Sequence, residues 1–364
     1  MRALRIALVA PVHEACPPPG YGGIELVVSL LAEGLWRRGH LVTLFATGDS
    51  VTPAELRWTE PTALRKRRLP PGESLAAEII HVKKAFAAAR EFDIIHNHTG
   101  ISGIAMAGLV KTPVLSTLHG PFTLENAPFF AAMSDHPYVA ISRAQQDLAP
   151  SSLRVVGVVY NGVDTAGFRQ HTEPGQLVPP ELWGRGLLFL GRVSREKGTH
   201  LACQVARRCG LPLTIAGKID AVDERYWKEE VQPHVDGRQI RYIGEVGGDR
   251  KREVLAGSLA LLHPVQWPEP FGLVMIEAMA CGTPVIALCD GSIPEVVDDQ
   301  VTGYVCDDVD QMVEAVGRIE SLDRQTIRDV CRVRFDASAM VDGYLSLYEA
   351  LIADSLRLAS TREA

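Results

Sequence analysis

The chain has 364 residues, more than one hydrophobic core comfortably fills, so two domains are expected. Hydrophobic residues at 46% and charged residues at 22% exclude a disordered chain and fit a soluble, globular one. Against 37 Lys and Arg stand 44 Asp and Glu, a formal charge of −7 that argues against nucleic acid as the main partner. Phosphates stay open, because they need only a local basic site.

The opening "MRALRIALVAPV" has the outline of a signal peptide, but its apolar stretch is short and carries Arg5. A first buried strand fits it better. No apolar run reaches transmembrane length. The seven cysteines (16, 203, 209, 281, 289, 306, 331) form no C-x-x-C pair and read as reduced core thiols of a cytosolic protein.

Short apolar runs then alternate with amphipathic stretches, the βα pattern of a parallel sheet. In the first half strands are expected at 5–10, 41–46, 93–96, 113–117, 138–141 and 155–159, with helices over 24–38, 76–90, 101–110 and 142–148. The segment "FRQHTEPGQLVPPELWGRG" (168–186) has neither period and is rich in Pro and Gly, so it marks a linker. Beyond it the alternation restarts. Strands are expected at 187–190, 212–216, 240–243, 259–262 and 284–287, and helices at 198–208, 223–231, 248–256, 273–281, 309–320 and 338–353. The domains expected are 1–167, 187–337 and a terminal helical piece, 338–364. Ligands of such sheets bind at the carboxyl ends of the strands, so the informative motifs are those that follow strands.

Several motifs fail. "GYGGIE" (20–25) has Glu25 where a dinucleotide fingerprint needs Gly, and "GRVSREKG" lacks the second Gly of a Walker A loop. "DDVD" (307–310) has Asp-x-Asp spacing but stands before a helix, where capping by Asp307 or Asp308 accounts for it. "HNH" (96–98) puts two His on one strand face without a third metal ligand. The basic loop "LRKRRLPPG" (64–72) reads as solvated surface, with an anionic membrane or phosphorylated acceptor as its functional alternative.

Two motifs survive. In "FLGRVSREKGTHLA" (189–202) a strand runs into Arg192, and Lys197 follows at a glycine-punctuated helix entry. Two cations there can clamp a pyrophosphate; the rival reading is a surface pair with Glu196. In "HPVQWPEPFGLVMIEAMACGTPV" prolines hold a loop, and Phe271, Gly272 and Leu273 open a helix whose first N–H groups lack partners. Glu269 precedes that helix and Glu277 lies in it. On one continuous helix their eight-residue gap is a rotation of roughly 80°, so with Glu269 in the loop two separate contacts to one elongated ligand are expected.

Arg192-x4-Lys197 followed by Glu269-x7-Glu277 within "PEPFGLVMIEAMACGTPVIA" resembles the retaining family-4 glycosyltransferases of the GT-B fold. "YGGIE" (21–25), "TLHG" (117–120), "AISRAQ" (140–145) and "VVYNGVD" (158–164) extend the resemblance over nearly the whole chain. It implies an α/β protein of two Rossmann-like domains facing across a cleft, with the last helix crossing back onto the N-terminal domain. It also implies a metal-independent transfer, with retention, of a sugar from an NDP-sugar donor to a hydroxyl acceptor of unspecified type. Arg192 and Lys197 would neutralise the diphosphate and Glu277 would bind the ribose. Glu269, Phe271, Gly272 and Leu273 would hold the sugar. Gly22 and Gly23 would cover the donor, and His119 would contact the sugar. No metal or further cofactor is implied. His13, Glu25, His98 and the 48–75 segment are acceptor-side candidates. The expected setting is cytoplasmic, with room for peripheral membrane contact. Competing classes are a GT-B nucleotide-sugar epimerase, a phosphorylase and a non-catalytic nucleotide-sugar-binding module.

Overall fold

In the computed structural model, residues 2–67, 69–168 and 183–363 are described. The expected linker, 168–186, lies largely outside them, as does Arg68 of the basic loop. Two compact units result. One comprises Met1–Pro18, Gly22–Gly162 and Ala337–Ala364, the other Pro19–Tyr21 and Val163–Asp336.

The first unit is a seven-stranded sheet. Its strands are β1 (Arg5–Val9), β2 (Leu41–Phe45), β3 (Glu55–Arg57), β4 (Ile94–Asn97), β5 (Val114–Thr117), β6 (Tyr138–Ala140) and β7 (Val155–Val158). Their order is β3-β2-β1-β4-β5-β6-β7, and every pairing is parallel. Helices α1 (Gly23–Arg37), α2 (Pro71–Ala87), α3 (Ile101–Ala107), α4 (Ala127–Ala132) and α5 (Arg143–Asp147) connect them. The inner strands read as near-continuous apolar runs because both faces are covered: Ile6 to Val9 are 0% exposed.

The second unit begins with α6 (Thr165–Phe168) and has a six-stranded sheet: β8 (Gly186–Leu190), β9 (Leu213–Ala216), β10 (Ile240–Tyr242), β11 (Ser258–His263), β12 (Val285–Leu288) and β13 (Gly303–Cys306). Its order, β10-β9-β8-β11-β12-β13, is again wholly parallel. Its helices are α7 (Thr199–Cys209), α8 (Glu224–Tyr226), α9 (Gly248–Ala256), α10 (Leu273–Ala280), α11 (Ile293–Val296), α12 (Val309–Arg318) and α13 (Arg324–Phe335). In each sheet the chain builds outward from a central strand, then crosses to the other side of it. The order reverses between β1 and β4, and between β8 and β11, which is where doubly wound sheets leave a crevice.

The last helix, α14 (Ala337–Glu363), returns to the first unit. It packs on α1, where Gly34 leaves room: a Cβ there would lie 2.5 Å from Val341 Cγ2. Arg38 on the end of α1 donates to Ser338 O at 3.1 Å and to Asp342 at 2.7 Å. This helix runs ten residues beyond the 353 expected from its apolar pattern.

Other departures have local causes. β3 is only three residues, two of them charged, and offers no apolar period. α13 buries only Ile327, Cys331 and Phe335 among seven polar or charged neighbours, so its stripe is one residue wide. The helix expected over 223–231 forms as tight, regular and wide turns in succession. Pro233 lacks the N–H that would bond the carbonyl four residues back, and its ring crowds that carbonyl. All seven cysteines are free, with Cys289 exposed. Among the described residues no helix is long and apolar enough to cross a membrane.

Candidate active site

In the second unit the residues singled out from sequence gather beside the β8–β11 reversal. β8 ends at Leu190 and the chain turns through Arg192 to Lys197 and α7. β11 ends at His263 and passes through Trp267 and Glu269 into α10. Two backbone contacts seat these loops on each other. Gln266 N–H donates to Glu196 O at 2.7 Å. Gly198 has φ +70° and approaches so closely that a Cβ would lie 1.9 Å from Pro264 O. A side chain at this position is therefore excluded twice, by conformation and by space.

This seating brings Lys197 onto Glu269, 72 residues away in sequence. The ammonium also lies 4.7 Å from the centre of the Trp267 ring, and Trp267 Nε1 donates to the same Glu269 oxygen at 3.0 Å. Both charged side chains are largely enclosed, Lys197 19% and Glu269 10% exposed. The Glu269 loop is pinned from behind. Ser292 N–H donates to Glu269 O at 2.9 Å and Ser292 Oγ to Phe271 O at 3.0 Å. Gly291, at φ +53°, leaves the space that a Cβ would take from the Glu269 backbone, 2.4 Å away.

Gly272 stands at the N-terminus of α10 with φ +78°, and no side chain caps the helix. Met275 N–H donates to Gly272 O at 3.0 Å, so the N–H groups of Leu273 and Val274 are the ones that keep their capacity for an anion. A Cβ on Gly272 would come within 3.3 Å of His263 Nε2. That nitrogen is buried and lacks a hydrogen-bond partner. Burial pushes His263 down to about 4, with Glu269 opposing and Lys197 assisting, so the ring is neutral.

The remaining assigned residues have their own partners. Arg192 pairs with Glu196, the contact of the rival reading, and also lies 3.9 Å from Asp220 and 3.8 Å from Asp223. Burial raises the Asp223 carboxyl above its usual range; Arg192 opposes this, while Glu196 and Asp220 reinforce it. Glu277 is 4% exposed and pairs with Lys251 of α9. Asp308 caps α12 by accepting from Gln311 N–H at 2.8 Å, and Asp310 pairs with Arg208 at 2.6 Å. The Asp-x-Asp spacing is thus spent on the fold. In the basic loop Arg65, Lys66 and Arg67 pair with Glu14, Asp49 and Glu60.

In the first unit His98 follows β4 and His119 follows β5, both at carboxyl ends of strands next to the β1–β4 reversal. His98 Nδ1 lies 2.9 Å from His119 Nε2. Burial pushes His119 down to about 4 and His98 well below its ordinary value. His13 is exposed and 3.6 Å from Glu78. Glu25, in the first turn of α1, is 5% exposed. Gly22 precedes that helix, where a Cβ would lie 2.7 Å from Pro18 Cβ, and Gly23 is its first residue.

Sequence reasoning missed Trp267, His263, Lys251, Gly291 and Ser292. Trp267 stands two residues before Glu269 in the proline-bounded loop and His263 ends the strand that leads into it, so both were open to notice. Lys251 and Ser292 carry no local signal, since only folding brings them to Glu277 and Glu269.

The chain matches the family described as Glycosyl transferases group 1 over residues 184–329. It matches Glycosyltransferase Family 4 over residues 21–166. It is 30% identical over 333 residues to the alpha-maltose-1-phosphate synthase of Mycolicibacterium smegmatis, covering 82% of this chain and 84% of that one. It is 27% identical over 379 residues to the phosphatidyl-myo-inositol mannosyltransferase of the same organism, covering 96% and 94%. Among solved structures, a glycosyltransferase involved in avilamycin A biosynthesis superposes with a TM-score of 0.70 at 26% identity, covering 96% and 98%.

Proposed function

The chain belongs to the glycosyl transferases group 1 family, and from that premise we propose that it transfers a sugar from an NDP-sugar to a hydroxyl acceptor, with retention and without a metal ion. The observation that carries this reading is the Lys197–Glu269–Trp267 cluster beside the uncapped N-terminus of α10. A cation and free N–H groups suit a diphosphate, and an enclosed carboxylate suits sugar hydroxyls.

Before a donor binds, Glu269 neutralises Lys197. An arriving diphosphate supplies a stronger counter-charge, which frees Glu269 to accept from hydroxyls. Arg192 adds a second positive charge on the same strand end. Negative charge grows on the diphosphate as the glycosidic bond breaks, so these cations act most strongly in the transition state. They replace the electrostatic work of a metal. Glu277, buried and paired with Lys251, holds the ribose. Gly22 and Gly23 are the donor-side candidates of the first unit in this reading, and His119 its sugar-contacting candidate.

Glu269 shares its side with the phosphate donors, which is the wrong side for backside attack on the anomeric carbon. Front-face displacement follows: the departing phosphate takes the acceptor's proton while the sugar is held as an oxocarbenium-like species. Glu269 positions that species and forms no covalent bond to it. His13, Glu25 and His98 belong to the acceptor side in this reading.

The test is transfer from a panel of UDP-, GDP-, ADP- and dTDP-sugars in EDTA, with the product anomer read by NMR. Retained configuration at undiminished rate is expected. An inverted anomer, or activity abolished by chelation and restored by Mg²⁺ or Mn²⁺, overturns the proposal.

A further inference from the structure

Three histidines of the first unit form a continuous chain. His96 is tied at both ring nitrogens. Its Nδ1 lies 2.6 Å from the Tyr348 hydroxyl and its Nε2 lies 2.7 Å from Thr117 Oγ1, itself 3.0 Å from the Tyr344 hydroxyl. The His96 ring lies 3.9 Å from that of His98 and 4.7 Å from that of Tyr344. His98 is 1% exposed; its Nδ1 meets His119 Nε2 at 2.9 Å, and its Nε2 is buried without a partner.

Burial keeps all three rings neutral. A neutral imidazole has one N–H and one lone pair. Between His98 and His119, therefore, one donates and the other accepts. If His98 accepted, its proton would sit on Nε2, a buried donor with nothing to receive it. If His98 donates from Nδ1, the leftover atom is an acceptor. Orphaned buried N–H groups are the rarer of the two. The proton therefore belongs on His98 Nδ1, and His119 Nε2 accepts it. A hydrogen bond at one ring nitrogen dictates the state of the other, so His119 carries its own proton on Nδ1.

We propose that His98 is a positioning residue that locks His119 in the Nδ1–H form, so that His119 meets a substrate oxygen as a hydrogen-bond donor. His96, fastened by Tyr348 and Thr117, holds the His98 ring in register. The inference rests on the reading of His119 as a sugar-contacting group. It has two consequences. The Nδ1 face of His119 cannot act as a base, which agrees with a departing phosphate that takes the proton itself. And α14 becomes part of the support of the site, because Tyr344 and Tyr348 stand one turn apart on its buried face.

The experiment is long-range ¹H–¹⁵N correlation on the full chain with ¹⁵N-labelled histidine, the His119 signals being assigned by their loss in His119→Asn. Protonated Nδ1 and bare Nε2 at His119 are expected. His98→Leu should release the lock and lower transfer roughly tenfold, the worth of one hydrogen bond. His98→Asn returns an N–H donor near the Nδ1 position and should recover most of that loss. Tyr348→Phe, which keeps the ring, should shift the His96 and His98 signals. An Nε2–H form of His119 in the wild type overturns the lock, as do equal transfer rates in the Leu and Asn variants. The underlying reading fails separately: a His119→Asn enzyme with undiminished transfer removes His119 from the sugar whatever its tautomer.

Discussion

Replacing Lys197 with methionine separates what this cation does for the fold from what it does for the reaction. Lys197 and Glu269 are both less than one-fifth exposed, and their pair is supported by Trp267 Nε1 at 3.0 Å. Removing the ammonium leaves Glu269 enclosed with one remaining donor. Breaking such a pair from one side costs about 3–5 kcal/mol, because an uncompensated charge stays behind. Adding Glu269→Gln removes that charge and should restore most of the stability in a denaturant titration followed by tryptophan fluorescence. Transfer should not return. The charge that met the developing diphosphate is absent from both variants, and losing one such contact costs about 10²- to 10³-fold in rate. Single-turnover release of NDP, with any donor the wild type accepts, is the assay. Near-wild-type turnover in Lys197→Met would remove Lys197 from the reaction. Recovered turnover in the double variant would mean that only the buried carboxylate had done the damage.

Glu277→Gln should weaken binding of the free NDP by about 1.5–3 kcal/mol, roughly 10- to 150-fold by calorimetry, if this carboxylate grips ribose hydroxyls; an unchanged affinity would leave Glu277 as the partner of Lys251 alone. Gly198→Ala should destabilise the second unit and depress transfer, since φ +70° and the 1.9 Å approach to Pro264 O leave no place for a methyl group. Thermal scans of Gly198→Ala against Gly72→Ala, a site where nothing lies within 4 Å of the added methyl, supply the comparison. Acid should destabilise the protein before its carboxylates titrate. His81, His119, His136 and His263 are held near 4 by burial, so between pH 6.5 and 4 the unfolded chain binds protons that the folded one refuses. Stability should fall as pH drops through that window, and His263→Gln should flatten the fall; a flat profile from pH 6.5 to 4 would contradict the buried, neutral assignment.

The positions of the inner strands and the identity of the loops that matter were written into local sequence. A strand buried on both faces needs an unbroken apolar run, and β1, β8 and β11 each have one within a residue or two of its observed ends. The loops after β8 and β11 advertise themselves through Gly198, Gly272 and the prolines around Glu269. His96 and His98 share a strand face by the two-residue period alone, and their rings do meet. Which strand lies beside which is a different kind of fact. Pairing order depends on where each crossover lands, and no local period carries it. The reversal between β8 and β11 therefore appears only in the folded sheet, and with it the contact of Lys197 with Glu269. The same holds for Lys251 on Glu277 and for Ser292 behind the Glu269 loop, contacts that bridge 26 and about two dozen residues. The apolar stripe of α14 announced a helix but not its berth. Tyr344 and Tyr348 find Thr117 and His96 only because α14 docks more than two hundred residues back along the chain, on the unit where the sequence began.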